Sequence, residues 1–434
     1  MYGLNQKLAK LAQDGKQIQV GIVGAGQMGK GLVSQIGLMK GMRATIVSDI
    51  RIESAKASYI HAGIPEDMIV EVSNASDADR FLKQGKYLIT QDSDIVSQIG
   101  TVEAVVDATG VPEVGAKVAM NSIMNGKHII MLNVETDVVI GPWLKKQADS
   151  AGVVYSGTAG DEPGAVRELY DFADALGFDI VAIGKGKNNK VDYTATPDSV
   201  REDAIARGVA PHMLCAFCDG TKTMVEMTAM SNSMNYVPDV RGGYGIKAVY
   251  NDLKDVVPNK FRLKSDGGML NQLKVVDYID GIAPGVFIIV TSRLPEVLGE
   301  MKYLKMGEGP NFVLYRPYHM CSLETPISIA MAVLNKQCTI APDYGMVSET
   351  ITVAKRDLAA GEYLDGIGGF TVYGTIERAD VSKQINALPL GLITKKTNMK
   401  NSVKKGQIIT YADVNLDDDS LVFQLRKLQD KFIK

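Results

Sequence analysis

Four cysteines and four histidines in 434 residues leave no basis for a disulfide framework or a histidine-rich metal centre. Cys215 and Cys218 fit a C-x-x-C spacing, but no second ligand pair accompanies them, so buried structural thiols are expected instead of zinc. No apolar run reaches membrane-spanning length. Charge of one sign is equally lacking: 47 Lys and Arg against 50 Asp and Glu give a net charge of −3, with no basic block or stripe. That argues against nucleic acid as the main partner. Internal repeats and low-complexity segments are absent too. The segment Met1–Lys16 is polar, with Leu4, Leu8 and Leu11 at helical spacing. It reads as a capping helix and not as a signal peptide, so a cytoplasmic protein without a membrane partner is expected. An apolar content of 46% and a charged content of 22% fit a globular chain, long enough for two or three domains.

What is present begins at residue 18. An apolar strand pattern (Ile18, Val20, Ile22, Val23) runs into Gly24-Ala25-Gly26-Gln27-Met28-Gly29, and a helix-like run follows. Gly24 permits the tight turn, Gly26 lets a pyrophosphate approach the backbone, and Gly29 lets the helix pack on its strand. A second strand, Ala44–Ser48, ends in Asp49, about 20 residues beyond the last glycine. This context predicts dinucleotide binding on a helix N-terminus. Asp49 suits the ribose hydroxyls of NAD, whereas Arg51 suits the 2′-phosphate of NADP. The residues leave the choice open, with NADP slightly favoured.

Strand and helix patterns alternate from Ile18 to about Tyr155, which predicts a Rossmann-type, doubly wound parallel sheet. Ligands bind at the carboxyl ends of such strands. Thr109, Gly110, Asn133 and Glu135 follow strand ends and are therefore expected near the nicotinamide half of the cofactor. A central α+β region follows, predicted as the catalytic domain. Beyond Ser348, short strands at Thr350–Ala354, Gly366–Gly369, Thr371–Tyr373, Leu388–Gly391 and Gly406–Thr410 predict a small β-rich module closed by a helix, Ser420–Phe432. The expected domains are residues 1–156, 157–347 and 348–434.

Hydride transfer to a carbonyl needs a cation or acid near the reacting oxygen. Lys185 and Lys187 follow the strand Asp179–Ile183, where a loop from 184 to 190 is expected to hold a substrate anion. Asp219, Lys222 and Glu226 have spacings of three and four; on one helix, Lys222 would sit between two carboxylates. The methionines around them (Met224, Met227, Met230, Met234) favour burial of that helix and are expected to fill a core. Asp161 and Glu162 lie in a Gly/Pro loop at a helix start, where either a capping role or substrate binding fits. Arg316 suits bidentate anion binding, and His319 suits acid–base work.

Several segments carry a resemblance. Gly160-Asp-Glu-Pro-Gly164, Gly184-Lys-Gly-Lys-Asn-Asn189, Asp219-Gly-Thr-Lys222 with Glu226, and Tyr315-Arg-Pro-Tyr-His319 resemble the homoserine-dehydrogenase-like oxidoreductases with a C-terminal SAF domain. Ala354-Lys-Arg-Asp-Leu358, Gly366-Ile-Gly-Gly369 and Leu388-Pro-Leu-Gly-Leu392 extend the likeness to the C-terminus. The resemblance implies an NADP- or NAD-dependent oxidoreductase acting on a small, anionic substrate, and a homodimer, which adds dimerisation to the central region. It includes enzymes similar to 1-deoxy-D-xylulose 5-phosphate reductoisomerase, for which a divalent Mg or Mn at Asp161 and Glu162 is expected. The Asn-Gly-Thr motif of authentic homoserine dehydrogenases has no match here, nor does an ACT domain. Homoserine or another polyol or hydroxy acid is thus the alternative substrate, and a non-catalytic NADP-binding sensor the alternative class.

Overall fold

The computed structural model describes residues 3–433; the first two residues of the Met1–Lys16 segment lie outside this range. Among the described residues, no helix is long and apolar enough to cross a membrane. The described chain folds as two compact units.

Unit 1 comprises residues 1–164, 320–341 and 425–434. Its seven strands are β1 (Ile18–Val23), β2 (Met42–Ser48), β3 (Ile69–Glu71), β4 (Tyr87–Thr90), β5 (Ala104–Asp107), β6 (His128–Met131) and β7 (Tyr155–Gly157). They form an all-parallel sheet in the order β3-β4-β2-β1-β5-β6-β7. The central strands read as apolar runs because helices cover both faces. Ile18, Val20, Ile22, Val47, Val106 and Ile130 are all buried in one core. The direction of strand order reverses between β1 and β5, which places the ligand crevice of the sheet at the Gly24 turn.

Two distant segments complete this unit. The helix Cys321–Ala330 packs Ile329 and Ala330 into the same core. The C-terminal helix, Leu421–Phe432, ends against the helix Val134–Ala151, which contains Pro142. Proline disrupts the hydrogen-bond ladder of a helix. Here the side chain of Gln429 serves two backbone groups beside the proline: its Oε1 accepts the Trp143 N–H at 3.0 Å, and its Nε2 donates to the Val139 carbonyl at 3.0 Å.

Unit 2 comprises residues 165–319 and 342–424. Its mixed sheet has the order β12-β11-β8-β10-β9, built from β8 (Asp179–Lys187), β9 (Ile246–Lys247), β10 (Val275–Asp280), β11 (Val286–Thr291) and β12 (Phe312–Arg316). Strands β8, β9 and β10 are parallel, while β11 runs antiparallel to β8 and β12. The helix Thr221–Met234 packs Met224, Met227, Met230 and Met234 against this sheet, so the methionines fill a core.

The same helix also packs on the hairpin β13 (Ser348–Ala354) and β14 (Val372–Arg378). Thr228 shares a hydroxyl hydrogen bond with Thr350 at 2.8 Å, and Asn232 Oδ1 accepts from the Val347 and Ser348 amides. One helix thus serves two sheets, so the C-terminal β-rich segment shares unit 2 with the central region. The units therefore part at other points than the boundaries at 156 and 347 expected from the sequence. Within the C-terminal segment, β15 (Asn398–Met399) and β16 (Val414–Asn415) form a further short pair. Gly366–Gly369, expected as a strand, is a turn instead, since Gly366 and Gly368 both need positive φ (72° and 69°). Leu388–Gly391 and Gly406–Thr410 contribute isolated bridges, not strands.

Candidate active site

In unit 1 the turn after β1 has the geometry a dinucleotide needs. Gly24 has φ 97°, and a Cβ there would lie 2.9 Å from the Ala108 carbonyl. Gly26 caps the helix Gln27–Gly37 without a side chain, and a Cβ on it would meet nothing within 4 Å. Open space beside free helix N–H groups fits a diphosphate. At Gly29 a Cβ would sit 1.9 Å from the Gly24 carbonyl oxygen, so this helix position tolerates no side chain. Gly29→Ala is therefore expected to distort the turn and to weaken NADH and NADPH binding by at least tenfold in a fluorescence titration. Unchanged binding would remove the turn from the cofactor site.

Asp49 lies at the end of β2. Its Oδ2 accepts from the Ala25 N–H and its Oδ1 from the Arg51 N–H, both at 2.8 Å. The carboxylate thus fixes the turn, and Arg51 begins the next helix with an exposed side chain. Sequence reasoning missed Asp107, the last residue of β5. Its Oδ1 accepts from the Thr109 amide and hydroxyl (3.0 and 2.7 Å), and its Oδ2 accepts from Asn133 Nδ2 at 2.9 Å. Burial pushes its carboxyl up to about 6 against those hydrogen bonds. Thr109 and Asn133 thus meet at the strand ends as expected. The Asn133 side chain is fully buried, however, and caps its helix through the Thr136 N–H (3.1 Å). Gly110 adopts φ 67° beside them, and Glu135 is buried in the first turn of that helix. The only early signal for Asp107 was its place at a strand end.

The loop at 157–164 is held within unit 1. The Ala159 N–H donates to Ser328 Oγ at 2.8 Å, and a Cβ on Gly160 would lie 2.6 Å from Glu324. Asp161 and Glu162 are both buried, and Glu162 begins the helix Glu162–Ala175. Asp161 Oδ1 accepts from the Cys321 thiol at 3.7 Å.

In unit 2, β8 continues through Lys187. Lys185 and Lys187 are therefore not in the loop expected from the sequence; each is 4% exposed, on the carboxyl end of a strand. Strand pairing there replaces the expected turn, and Gly184 and Gly186 serve close packing: a Cβ on Gly184 would lie 1.9 Å from the Asp277 carbonyl oxygen. Lys185 forms a buried ion pair and hydrogen bond with Glu226. Lys187 Nζ donates to the Phe217 carbonyl at 2.6 Å, at the C-terminal turn of the helix Pro211–Cys218. Burial, and then the Lys185 charge, holds the Lys187 ammonium below its ordinary pKa.

The reading of Asp219, Lys222 and Glu226 as one helix face is overturned. A helix break with Gly220 at φ 86° separates Asp219 from the helix that carries the other two. Asp219 Oδ1 accepts from the Thr221 N–H (2.9 Å), while Oδ2 pairs with Lys355 at 2.7 Å. Lys222 is half-buried on the first turn of that helix. Arg316 ends β12 level with Lys185, two strands away, and pairs with Glu168 at 3.0 Å. His319 is the last residue of its segment of unit 2. Cys215 and Cys218 share one helix; Cys215 is buried, which pushes its thiol up to about 11, whereas Cys218 is only half-buried, so of the two thiols expected in a core one is there.

A cavity of about 200 Å³ opens beside Lys187, lined also by Lys190, Lys247, Tyr278 and Asp280. Its floor is a register row: Lys187 on β8, Asp280 on β10 and Lys247 on β9 lie side by side at the carboxyl ends of three parallel strands. Asp277, which the sequence did not single out, shapes the wall. Its Oδ1 accepts from the Tyr244, Gly245 and Tyr278 amides (3.0, 3.1 and 2.7 Å) and so anchors the loop containing Gly245. Burial pushes this carboxyl up to about 6. A raised folded-state pKa favours the fold below the unfolded value, near 3.8, and that gain is lost as pH rises through about 6. All three donors reach Oδ1, which an asparagine oxygen can replace; the second contact of the Tyr244 N–H, to Oδ2 at 3.0 Å, would be lost. Asp277→Asn is therefore expected to gain stability relative to wild type between pH 4 and pH 7, read from urea midpoints. The opposite trend would show that the carboxylate is favoured where it stands.

Residues 160–325 match the family model described as oxidoreductase DRL, catalytic domain, and every candidate catalytic residue named above lies within that span. A comparison with curated proteins gives no match. Among solved structures, the chain is similar to a probable dehydrogenase from Thermotoga maritima (10% identity, covering 74% of this chain and 90% of that one, TM-score 0.42). It is also similar to scyllo-inositol dehydrogenase from Lactobacillus casei with bound NAD(H) and scyllo-inositol (11% identity, 76% and 93%, TM-score 0.41). A third is a putative myo-inositol dehydrogenase from Sinorhizobium meliloti 1021 (12% identity, 76% and 93%, TM-score 0.41). A dinucleotide-binding sheet and an oxidoreductase catalytic-domain match in one chain are the organisation of an NAD(P)-dependent oxidoreductase.

Proposed function

We propose that this enzyme moves a hydride between NAD(P)H and a small, polar, anionic carbonyl or hydroxyl compound, with Lys187 as the group that polarises and protonates the reacting oxygen. The observation that carries this reading is the Lys187 ammonium. It is buried, it borders the cavity, and its one side-chain hydrogen bond goes to the Phe217 carbonyl. An ammonium has three donors, so Nζ retains capacity for a substrate oxygen. A lysine pKa lowered by burial brings proton donation closer to neutral pH. Lys185 sits in a tight pair with Glu226, and of these two opposing charges the Lys185 one acts more strongly on Lys187.

Lys190 and Lys247 supply charge for the anionic end of the substrate. Neither forms an ion pair among the described residues. In unit 1, the Gly24–Gly29 turn and the helix N-terminus would hold the cofactor diphosphate, and Asp49 or Arg51 the adenosine ribose. When bound, the nicotinamide supplies or accepts the hydride.

In its sharper form the proposal takes 1-deoxy-D-xylulose 5-phosphate as substrate, supported by the cationic cavity and the motif resemblance. Asp161 and Glu162, adjacent buried carboxylates, are hard oxygen donors of the kind Mg²⁺ or Mn²⁺ takes in that form. The purified protein is assayed with NADPH and NADH, with and without divalent metal, against small phosphosugars, hydroxy acids including homoserine, and polyols. Loss of absorbance at 340 nm with the deoxyxylulose phosphate supports the sharper form. Turnover of homoserine or a polyol alone leaves the dehydrogenase and removes that substrate. Cofactor binding without any turnover favours the sensor. The homodimer belongs to the proposal too, and a monodisperse monomer by light scattering would remove it.

A further inference from the structure

The hydride-transfer reading uses Lys185, Lys187 and Glu226, and leaves a second buried ion pair in unit 2 without a role. Lys355 follows directly on β13, in the C-terminal β-rich segment. Its Nζ donates to Asp219 Oδ2 (2.7 Å), the Ala195 carbonyl (2.8 Å) and the Gly369 carbonyl (2.7 Å), with Cys215 Sγ at 3.4 Å. All three donors are therefore taken, and the pair is almost inaccessible: 2% for the lysine side chain and 0% for the aspartate. Removing two charges from water costs more than their attraction commonly returns, so a retained buried pair calls for another role.

Its place in the chain supplies one. Asp219 ends the helix Pro211–Cys218, whose Phe217 carbonyl holds Lys187. The same Asp219 accepts the Thr221 N–H at the start of the helix whose Glu226 holds Lys185. The C-terminal segment grips this helix break a second time, because the β14 Gly374 N–H donates to Thr221 Oγ1 at 2.9 Å. One break between two helices thus sets the partners of both buried lysines, and two residues of the C-terminal segment fix it.

We infer that Lys355 and Asp219 form a positioning pair through which the C-terminal segment places Phe217 and Glu226 against Lys187 and Lys185. This rests on the reading of Lys187 as the proton donor. The groups that face Lys187 are Lys185 on its own strand, Glu226 on the Thr221–Met234 helix, and Cys218 and Asp219 at the helix break. Lys190, Lys247 and Asp280 border the cavity beside it. Loosening the break lets water reach Nζ, which relaxes the desolvation that dominates its lowered pKa. The proton donor then titrates at higher pH.

The test pairs Lys355→Met with Asp219→Asn, so that no lone charge stays buried, and adds Thr221→Val as a milder break of the Gly374 contact. The double variant should lower kcat roughly 10- to 100-fold, as a displaced catalytic group does. KM for the cofactor should stay unchanged, and the basic limb of the pH–rate profile should move upward. Thr221→Val should shift the limb in the same direction by less, and it decides the matter if the double variant does not fold. A second readout needs no turnover: lysines are labelled by reductive 13C-methylation, the Lys187 resonance is assigned with Lys187→Arg, and its titration is followed by NMR. An upward shift in the variants of an inactive protein would support the positioning pair and reject the hydride-transfer reading. A folded variant with lower stability but an unmoved limb and an unmoved resonance would reject the positioning pair.

Discussion

Replacing Lys187 by alanine is expected to lower kcat/KM by roughly 10² to 10⁴, the range a positioned acid–base group contributes. NAD(P)H binding should be retained, because the dinucleotide turn is built from Gly24–Gly29 and Asp49 and does not include Lys187. The change removes a buried ammonium together with its one hydrogen bond to Phe217, so the protein should still fold. Lys187→Arg restores the charge without a usable proton, since guanidinium stays protonated above pH 12; its turnover should remain low. The pH dependence gives a separate check. Carbonyl reduction needs the protonated amine, so the wild-type rate should fall as pH rises through the lowered Lys187 pKa. That limb should vanish in Lys187→Ala. Wild-type turnover in the alanine variant would exclude Lys187 from the chemistry.

Glu226→Ala should be the most damaging change to stability near the site, at about 3–5 kcal/mol, the cost of leaving one partner of a buried ion pair uncompensated. Side-chain exposures of 5% for Lys185 and 2% for Glu226 leave little water to replace the carboxylate. Lys185 would then lose its Glu226 partner at a nearly inaccessible place, which opposes folding. The urea midpoint reads the loss. Lys185→Met combined with Glu226→Leu should recover most of it, since apolar residues of similar volume often match or exceed a buried pair. Turnover should not recover with it, because the Lys185 charge, which outweighs that of Glu226 at Lys187, is gone. If Glu226→Ala costs less than about 1 kcal/mol, the pair behaves as a solvated surface bridge and its burial is not what the structure indicates.

The residues around Lys222 show where reading from the sequence stopped. Spacings of three and four put Asp219, Lys222 and Glu226 on one face only if one helix spans them all. Gly220 breaks it, and each carboxylate instead finds a lysine from far along the chain: Lys355 for Asp219 and Lys185 for Glu226. Lys185 and Lys187 were read as loop residues, because the glycines between Ile183 and Asn188 looked like a turn. They are glycines of close packing inside a strand. Asp107 and Asp277 gave no periodic or motif signal at all, since their partners are backbone amides and neighbouring polar groups brought together by strand pairing.

The dinucleotide turn, the parallel sheet around it, the methionine-lined core helix and the order of strands and helices were written in local pattern. Each depends on residues within one strand–turn–helix unit, where glycine conformation and apolar periodicity act over short range. Which lysine borders a cavity, which carboxylate neutralises which amine, and how the segments at 320–341 and 425–434 join unit 1 were decided by tertiary packing alone. Burial and charge pairing depend on distance in space, and the residues concerned are separated by up to 328 positions in the chain, as Lys7 and Asn335 are.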